Sequence, residues 1–212
     1  MIIAVDGTLA SGKGTIARAL AAAFGLPCLD TGALYRGVAV AVLDAGADPH
    51  NGEQATALAR TFDPASLDEM KIRTSAAGAA ASVVSAHAGV RDALFALQRR
   101  FANQDGGAVL DGRDIGTVIC PDADVKLFID AKPAVRAWRR WQELSDRGED
   151  IALAEIERQL AIRDARDAGR PDAPMKPAAD AVLLDTTQLS IDAAIGQAVE
   201  LVSDKTGVSP IT

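Results

Sequence analysis

The chain has 212 residues, of which 49% are hydrophobic and only 4% aromatic, and its formal net charge is −7. This length suits one α/β domain with a small insert, and an acidic chain lacks the basic surface that nucleic-acid polymers require. No run approaches the roughly 20 apolar residues of a membrane span, and the first residues resemble a core strand more than an export signal. We therefore expect a cytoplasmic protein that binds neither nucleic-acid polymers nor membranes.

Apolar runs of strand length alternate with helical patterns along most of the chain. In chain order we predict a strand at 2–6, a helix at 13–24, a strand at 27–30, a helix at 34–45, a strand ending at 111, a strand at 125–129, a helix opening at 133, a strand at 181–184 and a last helix from about 191. This alternation predicts an α/β fold with a parallel five-stranded sheet flanked by helices. Ligands of such sheets bind beyond the carboxyl ends of the strands.

Two regions break the alternation. Residues 47–105 hold no clear strand and are predicted to be helical, and residues 147–178 are rich in charge and then in proline. Both regions are candidates for mobile elements over a site.

Residues 7–15 read Gly-Thr-Leu-Ala-Ser-Gly-Lys-Gly-Thr between the first predicted strand and helix. They form the phosphate-loop pattern G-x-x-x-x-G-K-[ST] with Gly14 inserted, a variant common among small kinases that phosphorylate nucleotides. Backbone N–H groups of such a loop surround a polyphosphate, Lys13 reaches its β- and γ-phosphates, and the hydroxyl of Thr15 helps to hold hydrated Mg²⁺. The alternative is a glycine-rich turn without a ligand. The predicted ATP-binding residues are Gly7, Thr8, Leu9, Ala10, Ser11, Gly12, Lys13, Gly14 and Thr15.

A second motif, residues 29–36, reads Leu-Asp-Thr-Gly-Ala-Leu-Tyr-Arg after a strand end. Thr31 can hydrogen-bond a base edge, Tyr35 can pack on a ring, and Arg36 can bind a phosphate. The alternative is a helix that Thr31 caps, with Arg36 in solvent.

A third motif, Asp111-Gly112-Arg113-Asp114, follows another predicted strand. Asp111 can organise Mg²⁺ through water, Arg113 can meet phosphate, and Asp114 can accept a hydrogen bond from a ligand amino group. A simple Asp-Gly turn between strand and helix is the alternative.

The fourth motif is a charged helix over residues 163–170. Arg163, Asp167 and Arg170 are spaced i, i+4, i+7 and therefore share one helix face. That face can present two guanidiniums to a transferring phosphate, with Asp167 orienting them or touching a ribose hydroxyl. An exposed helix held by ion pairs is the alternative. Farther upstream, Arg91 opens another predicted helix and can enter a base pocket.

These motifs together resemble the bacterial cytidylate kinases among the P-loop nucleoside monophosphate kinases. The phosphate loop alone is shared by many kinases, whereas D-T-G-A-L-Y-R together with D-G-R-D-I-G-T-V is far more specific. The resemblance spans nearly the whole chain. It further includes Ile72-Arg73-Thr74, Ser82, Val90-Arg91, the 163–170 cluster and Leu184-Asp185-Thr186.

The resemblance implies a P-loop NTPase-like fold in a single kinase domain over residues 1–212. Its core would be about 1–46, 106–146 and 179–212, its helical monophosphate-binding region about 47–105, and its mobile lid about 147–178. The implied reaction is phosphoryl transfer from ATP, with Mg²⁺, to CMP or dCMP, and we expect a monomer.

The resemblance also assigns roles to particular residues. Thr31, Arg91 and Asp114 would face the cytosine edge, with Tyr35 in the same CMP site. Ser82, Arg163 and Asp167 would lie near the pentose, and Arg36, Arg113 and Arg170 would meet phosphate. The expected catalytic residues are Lys13, Arg113, Arg163 and Arg170, and the expected metal ligands are Thr15 and, through water, Asp111.

The chain departs from the family pattern in two places. The family's loop usually reads Gly-Pro-Ser-Gly-x-Gly-Lys-Gly-Thr, whereas its centre here is Thr8-Leu9-Ala10-Ser11. The end glycines are kept, so we expect phosphate binding to survive. Many bacterial members also carry a small antiparallel sheet in the monophosphate-binding region, and residues 62–71 are too short to hold one.

Other functions are alternatives to phosphoryl transfer to CMP or dCMP. A P-loop kinase with another acceptor, such as UMP, shikimate or a sugar acid, is one alternative, although the arginines suit a phosphorylated acceptor. A non-catalytic ATP-binding module is another. A GTPase switch would carry an N-K-x-D motif, which is absent because Asn51 precedes Gly52 and Asn103 precedes Gln104.

Overall fold

A computed structural model describes residues 1–211 and shows a five-stranded sheet in the order β2-β3-β1-β4-β5. The pairs β1–β3, β1–β4 and β4–β5 are parallel, which confirms the predicted α/β class. Each predicted strand is present within one or two residues of its expected place. The strands are β1 Ile2–Gly7, β2 Cys28–Asp30, β3 Ala108–Gly112, β4 Val125–Asp130 and β5 Val182–Asp185.

Helices fill the rest of the regular structure. The helix predicted at 13–24 is observed over those residues, and the regions at 47–105 and 147–178 contain helices and no strand, as expected. The helices are α1 Lys13–Phe24, α2 Thr31–Asp44, α3 Gly52–Arg60, α4 Glu69–Ile72, α5 Ser75–Val84, α6 Ala88–Ala102, α7 Pro133–Ser145, α8 Leu153–Ala168 and α9 Ile191–Thr206, with a 3₁₀ turn at Pro64–Ser66 and a π-helical turn at Ile115–Ile119. None of the helices in the described part of the chain has both the length and the apolar character that a membrane crossing requires.

The chain divides into two compact units. The core unit comprises Met1–Leu29 and the chain from Phe101 onward, and the helical unit comprises Asp30–Arg100. The helix α2 lies in the helical unit. The predicted division into core, monophosphate-binding region and lid remains a functional hypothesis.

The buried strands of the core unit direct apolar side chains alternately to the two faces of the sheet. Successive side chains of a strand point to opposite faces of a sheet. Ile3 and Val5 of β1 accordingly lie in one apolar cluster with residues of α1 and α9, whereas Ala4 lies in a second cluster with Ile115 and Ile119. Both faces of β1 are therefore covered, as the strands of a parallel sheet require.

A third apolar cluster joins α7 to α8. Ala137 and Leu144 of α7 pack with Ile156 and Leu160 of α8. The region predicted as a lid thus contains a helix, α8, that belongs to the core unit and packs on α7. Leu9 of the phosphate loop also packs against this cluster.

The helical unit contains a short segment where a small antiparallel sheet was predicted to be absent. Between α3 and α5 the chain forms only the 3₁₀ turn and the single-turn helix α4, so the prediction that residues 62–71 hold no sheet is confirmed. A Cβ at Gly37 of α2 would lie 2.5 Å from Phe62 Cζ and 2.6 Å from Leu67 Cδ2. We call this bare site on α2 the Gly37 notch. It lets the short segment pack directly on the helix backbone.

Candidate active site

The phosphate loop leaves β1 through a position that only glycine can occupy. Gly7 has a φ of +148°, and a Cβ there would lie 1.9 Å from the carbonyl oxygen of Ile129. Gly12 has a φ of +93° at the N-cap of α1, and Ala10 has a φ of +61°, which is uncommon for a residue with a side chain. The loop thus turns sharply between β1 and α1, where the N-terminal end of the helix favours negative charge.

Side chains from outside the loop hold its unusual centre. The Thr8 hydroxyl donates to Asp130 Oδ1 at 2.6 Å, at the end of β4. The Ser11 hydroxyl donates to the carbonyl oxygen of Thr8 at 2.9 Å, and the Thr186 hydroxyl donates to that of Ser11 at 2.8 Å. Arg139 donates to Thr186 Oγ1 at 3.0 Å and to its carbonyl oxygen at 2.8 Å, which fixes the residue that holds Ser11.

Asp111 lies against the start of α1. A Cβ at Gly14 would be 2.9 Å from Asp111 Oδ2, so the inserted glycine makes room for this carboxylate. Both Asp111 and Gly112 belong to β3 and are buried. The Asp-Gly turn weighed as the alternative is therefore wrong, because the strand continues through both residues.

The residues around Gly14 fit a magnesium ion. Mg²⁺ prefers oxygen ligands, keeps several waters and is usually bound by one or two protein groups together with substrate phosphates. The Asp111 carboxylate and the Thr15 hydroxyl supply such oxygens. Within residues 1–211, no group of three or more His, Cys, Asp and Glu could hold a metal alone. A site of this kind would therefore depend on phosphate oxygens.

Asp6 positions the segment that follows β3. Its Oδ1 and Oδ2 accept hydrogen bonds from the backbone N–H groups of Ile115 and Gly116, both at 2.7 Å. Burial raises the pKa of Asp6 to about 7, and the hydrogen bonds from Gly116 and Ile115 oppose that rise. These bonds join the end of β1 to the segment that directly follows Arg113 and Asp114.

Asp167 pairs with the arginines predicted for catalysis. It accepts hydrogen bonds from Arg113 Nε at 3.0 Å and from Arg170 Nη2 at 2.6 Å, and Arg163 Nε lies 3.9 Å away. Burial by itself raises the pKa of Asp167, but the guanidiniums of Arg113, Arg170 and Arg163 outweigh it and hold the pKa below its ordinary value. The side chain of Asp167 is only 2% exposed. Asp167 on α8 is therefore buried against Arg113, unlike the exposed helix of the alternative. Because α8 ends at Ala168, the prediction that Arg170 shares a helix face with Arg163 and Asp167 is wrong, although Arg170 still pairs with Asp167.

The other predicted CMP-binding residues lie in the helical unit. Asp30 caps α2 by accepting from the Ala33 N–H at 3.0 Å, and it pairs with Arg36 at 2.7 Å. The alternative in which Thr31 caps the helix and Arg36 is solvated is therefore wrong. Thr31 is buried at the start of α2, and Tyr35 follows one turn later. Ser82 on α5 and Arg91 on α6 are also buried.

Several residues that shape the site were not predicted from the sequence. Their partners are distant in the chain, and spacing between neighbours gives no signal for them. Arg136 and Arg139 on α7 are the exception, because their helical spacing shortly after a strand end is a weak signal. The missed residues are Asp6, Asp130, Arg136, Arg139 and, as a loop anchor, Thr186.

This architecture defines the class of P-loop kinases. The first strand leads into a phosphate loop, a strand-end carboxylate lies beside that loop, and an arginine cluster is built into the same core unit. A family model described as cytidylate kinase matches residues 3–204. The chain belongs to the cytidylate kinase family, which confirms the resemblance stated above.

Curated relatives cover nearly the whole chain. The cytidylate kinase of Caulobacter vibrioides is 53% identical over 203 residues, which are 96% of this chain and 95% of the relative. That of Rhodopseudomonas palustris is 54% identical over 202 residues, 95% of each chain. That of Xanthobacter autotrophicus is 55% identical over 202 residues, 95% of this chain and 97% of the relative.

Solved structures share the fold at low identity. An uncharacterized protein from Eubacterium ventriosum has a TM-score of 0.55 at 16% identity, over 96% of this chain and 98% of its own. The protein TT1252 from Thermus thermophilus has a TM-score of 0.50 at 19% identity, over 97% of both chains. At such identities the likeness concerns the fold alone.

Proposed function

We propose that the protein, an ATP-dependent kinase, transfers the γ-phosphoryl group of ATP to CMP or dCMP, giving ADP and CDP or dCDP. One observation supports the proposed residue roles. Arg113, Arg163 and Arg170 cluster around Asp167 in the unit that holds the phosphate loop. A phosphorylated acceptor supplies the negative charge that such a cluster attracts. A sugar or a shikimate-like acceptor would make less use of it.

Phosphoryl transfer needs little covalent help from the protein. The transition state spreads charge over the transferring group, so catalysis comes from positioning and charge neutralisation. Backbone N–H groups of the phosphate loop and Lys13 bind the donor phosphates, and Arg113, Arg163 and Arg170 stabilise the charge on the transferring group. Bound Mg²⁺ would supply further charge neutralisation on the phosphates, held by Thr15 and, through water, by Asp111.

Recognition of cytosine is assigned to Asp114, Arg91 and Thr31. The exocyclic amine of cytosine needs an acceptor, which the Asp114 carboxylate provides, and its O2 and N3 need donors such as the Arg91 guanidinium. Uracil would place its O4 against the Asp114 carboxylate, a repulsive contact that favours cytosine over uracil. Ser82 and Asp167 would contact the pentose, and Tyr35 and Arg36 would complete the site beside the base and the phosphate.

Lid closure, cellular location and oligomeric state are also part of the proposed function. Residues 147–178 close over the bound nucleotides and exclude water, which would otherwise hydrolyse ATP. The protein acts in the cytoplasm as a monomer. Size-exclusion chromatography with light scattering tests whether it is monomeric.

The test of the function is a coupled assay of ADP release. The protein is incubated with ATP, Mg²⁺ and one acceptor at a time, with CMP, dCMP, UMP, AMP and shikimate as the set. Turnover should be fastest with CMP or dCMP and much slower with UMP. Faster turnover with UMP or shikimate would replace the proposed acceptor. Absence of any product would favour the non-catalytic ATP-binding module.

A further inference from the structure

The centre of the phosphate loop is attached to the helices α7 and α8. The side chain of Leu9 packs against the apolar cluster between these helices. Because Leu9 sits between the turn at Gly7 and the left-handed Ala10, its packing fixes the middle of the loop. The cluster comprises Ala137, Leu144, Ile156 and Leu160, with Trp141, Ile151 and Leu153 at its margin.

A buried arginine adds a polar attachment at the same place. Arg136 of α7 is 3% exposed. Its Nη1 donates to the carbonyl oxygen of Leu9 at 3.3 Å, and its Nε donates to that of Ala131 at 2.9 Å. Its Nη2 donates to Asp164 Oδ2 at 2.6 Å. One planar guanidinium thus binds the phosphate loop, the residue that follows β4 and α8 together.

Asp164 lies on α8 between Arg163 and Asp167, the two cluster residues that this helix carries. It directly follows Arg163 and precedes Asp167 by three residues, less than one turn of the helix. Since a guanidinium presents its donors in a rigid plane, the bond to Asp164 limits how α8 can rotate or slide relative to Leu9. The position of Asp167, and of the arginines that it holds, is limited in the same way.

We propose that Arg136 is a positioning residue that, once residues 147–178 have closed, holds the phosphate loop and the Arg163–Asp167 part of α8 at the separation that phosphoryl transfer needs. The inference rests on the proposed function, because it takes the loop as the donor site and Arg163 and Arg170 as catalytic. Catalysis by positioning is steep: a displacement of about 1 Å costs on the order of 100-fold in rate. A loop and a helix that move independently would lose that precision.

The first experiment compares Arg136→Met with Arg140→Met. Arg140 lies on the same helix and pairs with Glu143 at the surface, so it controls for loss of an α7 arginine. We expect Arg136→Met to lower kcat by about 10- to 100-fold while KM for ATP and for CMP stay within about threefold, and Arg140→Met to change neither. A purely structural role would lower the melting temperature and leave kcat per folded molecule unchanged, which would overturn the proposal.

A double-mutant cycle tests the connection itself. Asp164→Ala removes the α8 end of the link, so Arg136→Met and Asp164→Ala should each lower kcat, and the double variant should be no slower than the slower single variant. Multiplying effects would show that the two side chains act separately and would overturn the proposal.

Failure to fold would not end the test. If Arg136→Met melts below the assay temperature, Arg136→Lys, which keeps the charge but not the planar fork, should fold and show the same selective loss of kcat. An Arg136→Lys enzyme with wild-type kcat would overturn the proposal. The wild type is assayed first: if it does not phosphorylate CMP or dCMP, the proposed function fails, whereas an active wild type with fully active Arg136 variants refutes only the positioning role.

Discussion

Substitution of Asp167 by asparagine should strongly destabilise the protein. The change keeps the shape of the side chain but removes the carboxylate that accepts from Arg113 at 3.0 Å and from Arg170 at 2.6 Å. Breaking a buried ion pair from one side costs about 3–5 kcal/mol, because a charge is left buried without its partner. Asparagine still accepts one hydrogen bond, so we expect about 3 kcal/mol. For a chain of this size that loss lowers Tm by about 6–12 °C.

Thermal unfolding at pH 7, followed by circular dichroism, measures the effect. The matched control is Asp44→Asn, which removes a carboxylate paired with Lys71 at 2.6 Å where both side chains are more than half exposed. Exposed pairs contribute about 0–1 kcal/mol, so the control should melt within about 3 °C of the wild type. If Asp167→Asn melts as closely to the wild type as the control does, the arginine cluster is not held by Asp167 as described.

The stability difference between the wild type and Asp167→Asn should shrink at low pH. The guanidiniums hold the pKa of Asp167 below its ordinary value despite burial, which by itself raises that pKa. The folded protein therefore holds the carboxylate charged at a pH where the unfolded chain, with a pKa of about 3.9, takes up a proton. The stability that Asp167 contributes is complete above about pH 4 and is lost as the pH falls through the folded pKa. Urea titrations of wild type and variant should converge in that range, and a difference that stays constant would contradict the pairing.

Three further substitutions test other parts of the site. Lys13→Ala should lower kcat by on the order of 1,000-fold with an unchanged melting curve, and near-normal kinase activity would refute the role of Lys13. Asp114→Ala should raise KM for CMP by about 10- to 100-fold and leave KM for ATP nearly unchanged, whereas equal effects on both would refute base recognition. Asp6→Asn should flatten the pH dependence of stability. Because burial raises the pKa of Asp6 to about 7, the unfolding free energy of the wild type falls as pH rises from about 4 to 7, by up to about 1.4 kcal/mol per unit relative to the variant. Parallel urea-derived curves for the two proteins would be the contrary result.

Local patterns predicted the elements of the fold well. The helix α1 matches its predicted bounds because the phosphate-loop glycines precede it and Gly25 ends it with a φ of +63°. The helix α2 begins three residues before its predicted start at 34, and its cap is Asp30 and not the alternative, Thr31. Both residue types are good caps, and only the three-dimensional structure distinguishes which side chain reaches the N–H groups.

The site was predictable where its residues share a local period. Helical spacing groups Arg163 with Asp167 correctly, whereas Arg170 lies beyond the end of α8 and the contact of Asp167 with Arg113 has no local signal. The anchors of the phosphate loop follow no such period: Arg136 and Leu9 are 127 positions apart, and Asp6 and Ile115 are 109 apart. Contacts of that span arise from the sheet order β3-β1-β4, which no local pattern specifies. The individual roles in binding remain predictions.

The Gly37 notch has a consequence for how this protein can change its sequence. Phe62 and Leu67 fill the space that a side chain at position 37 would need. A larger residue there and a change in residues 62–67 must therefore occur together, or the first of them will be selected against. The helix that carries Thr31, Tyr35 and Arg36 is in this way tied to a segment about thirty positions away. An engineer who grafts a longer segment from a relative into this chain should expect to redesign position 37 in the same step.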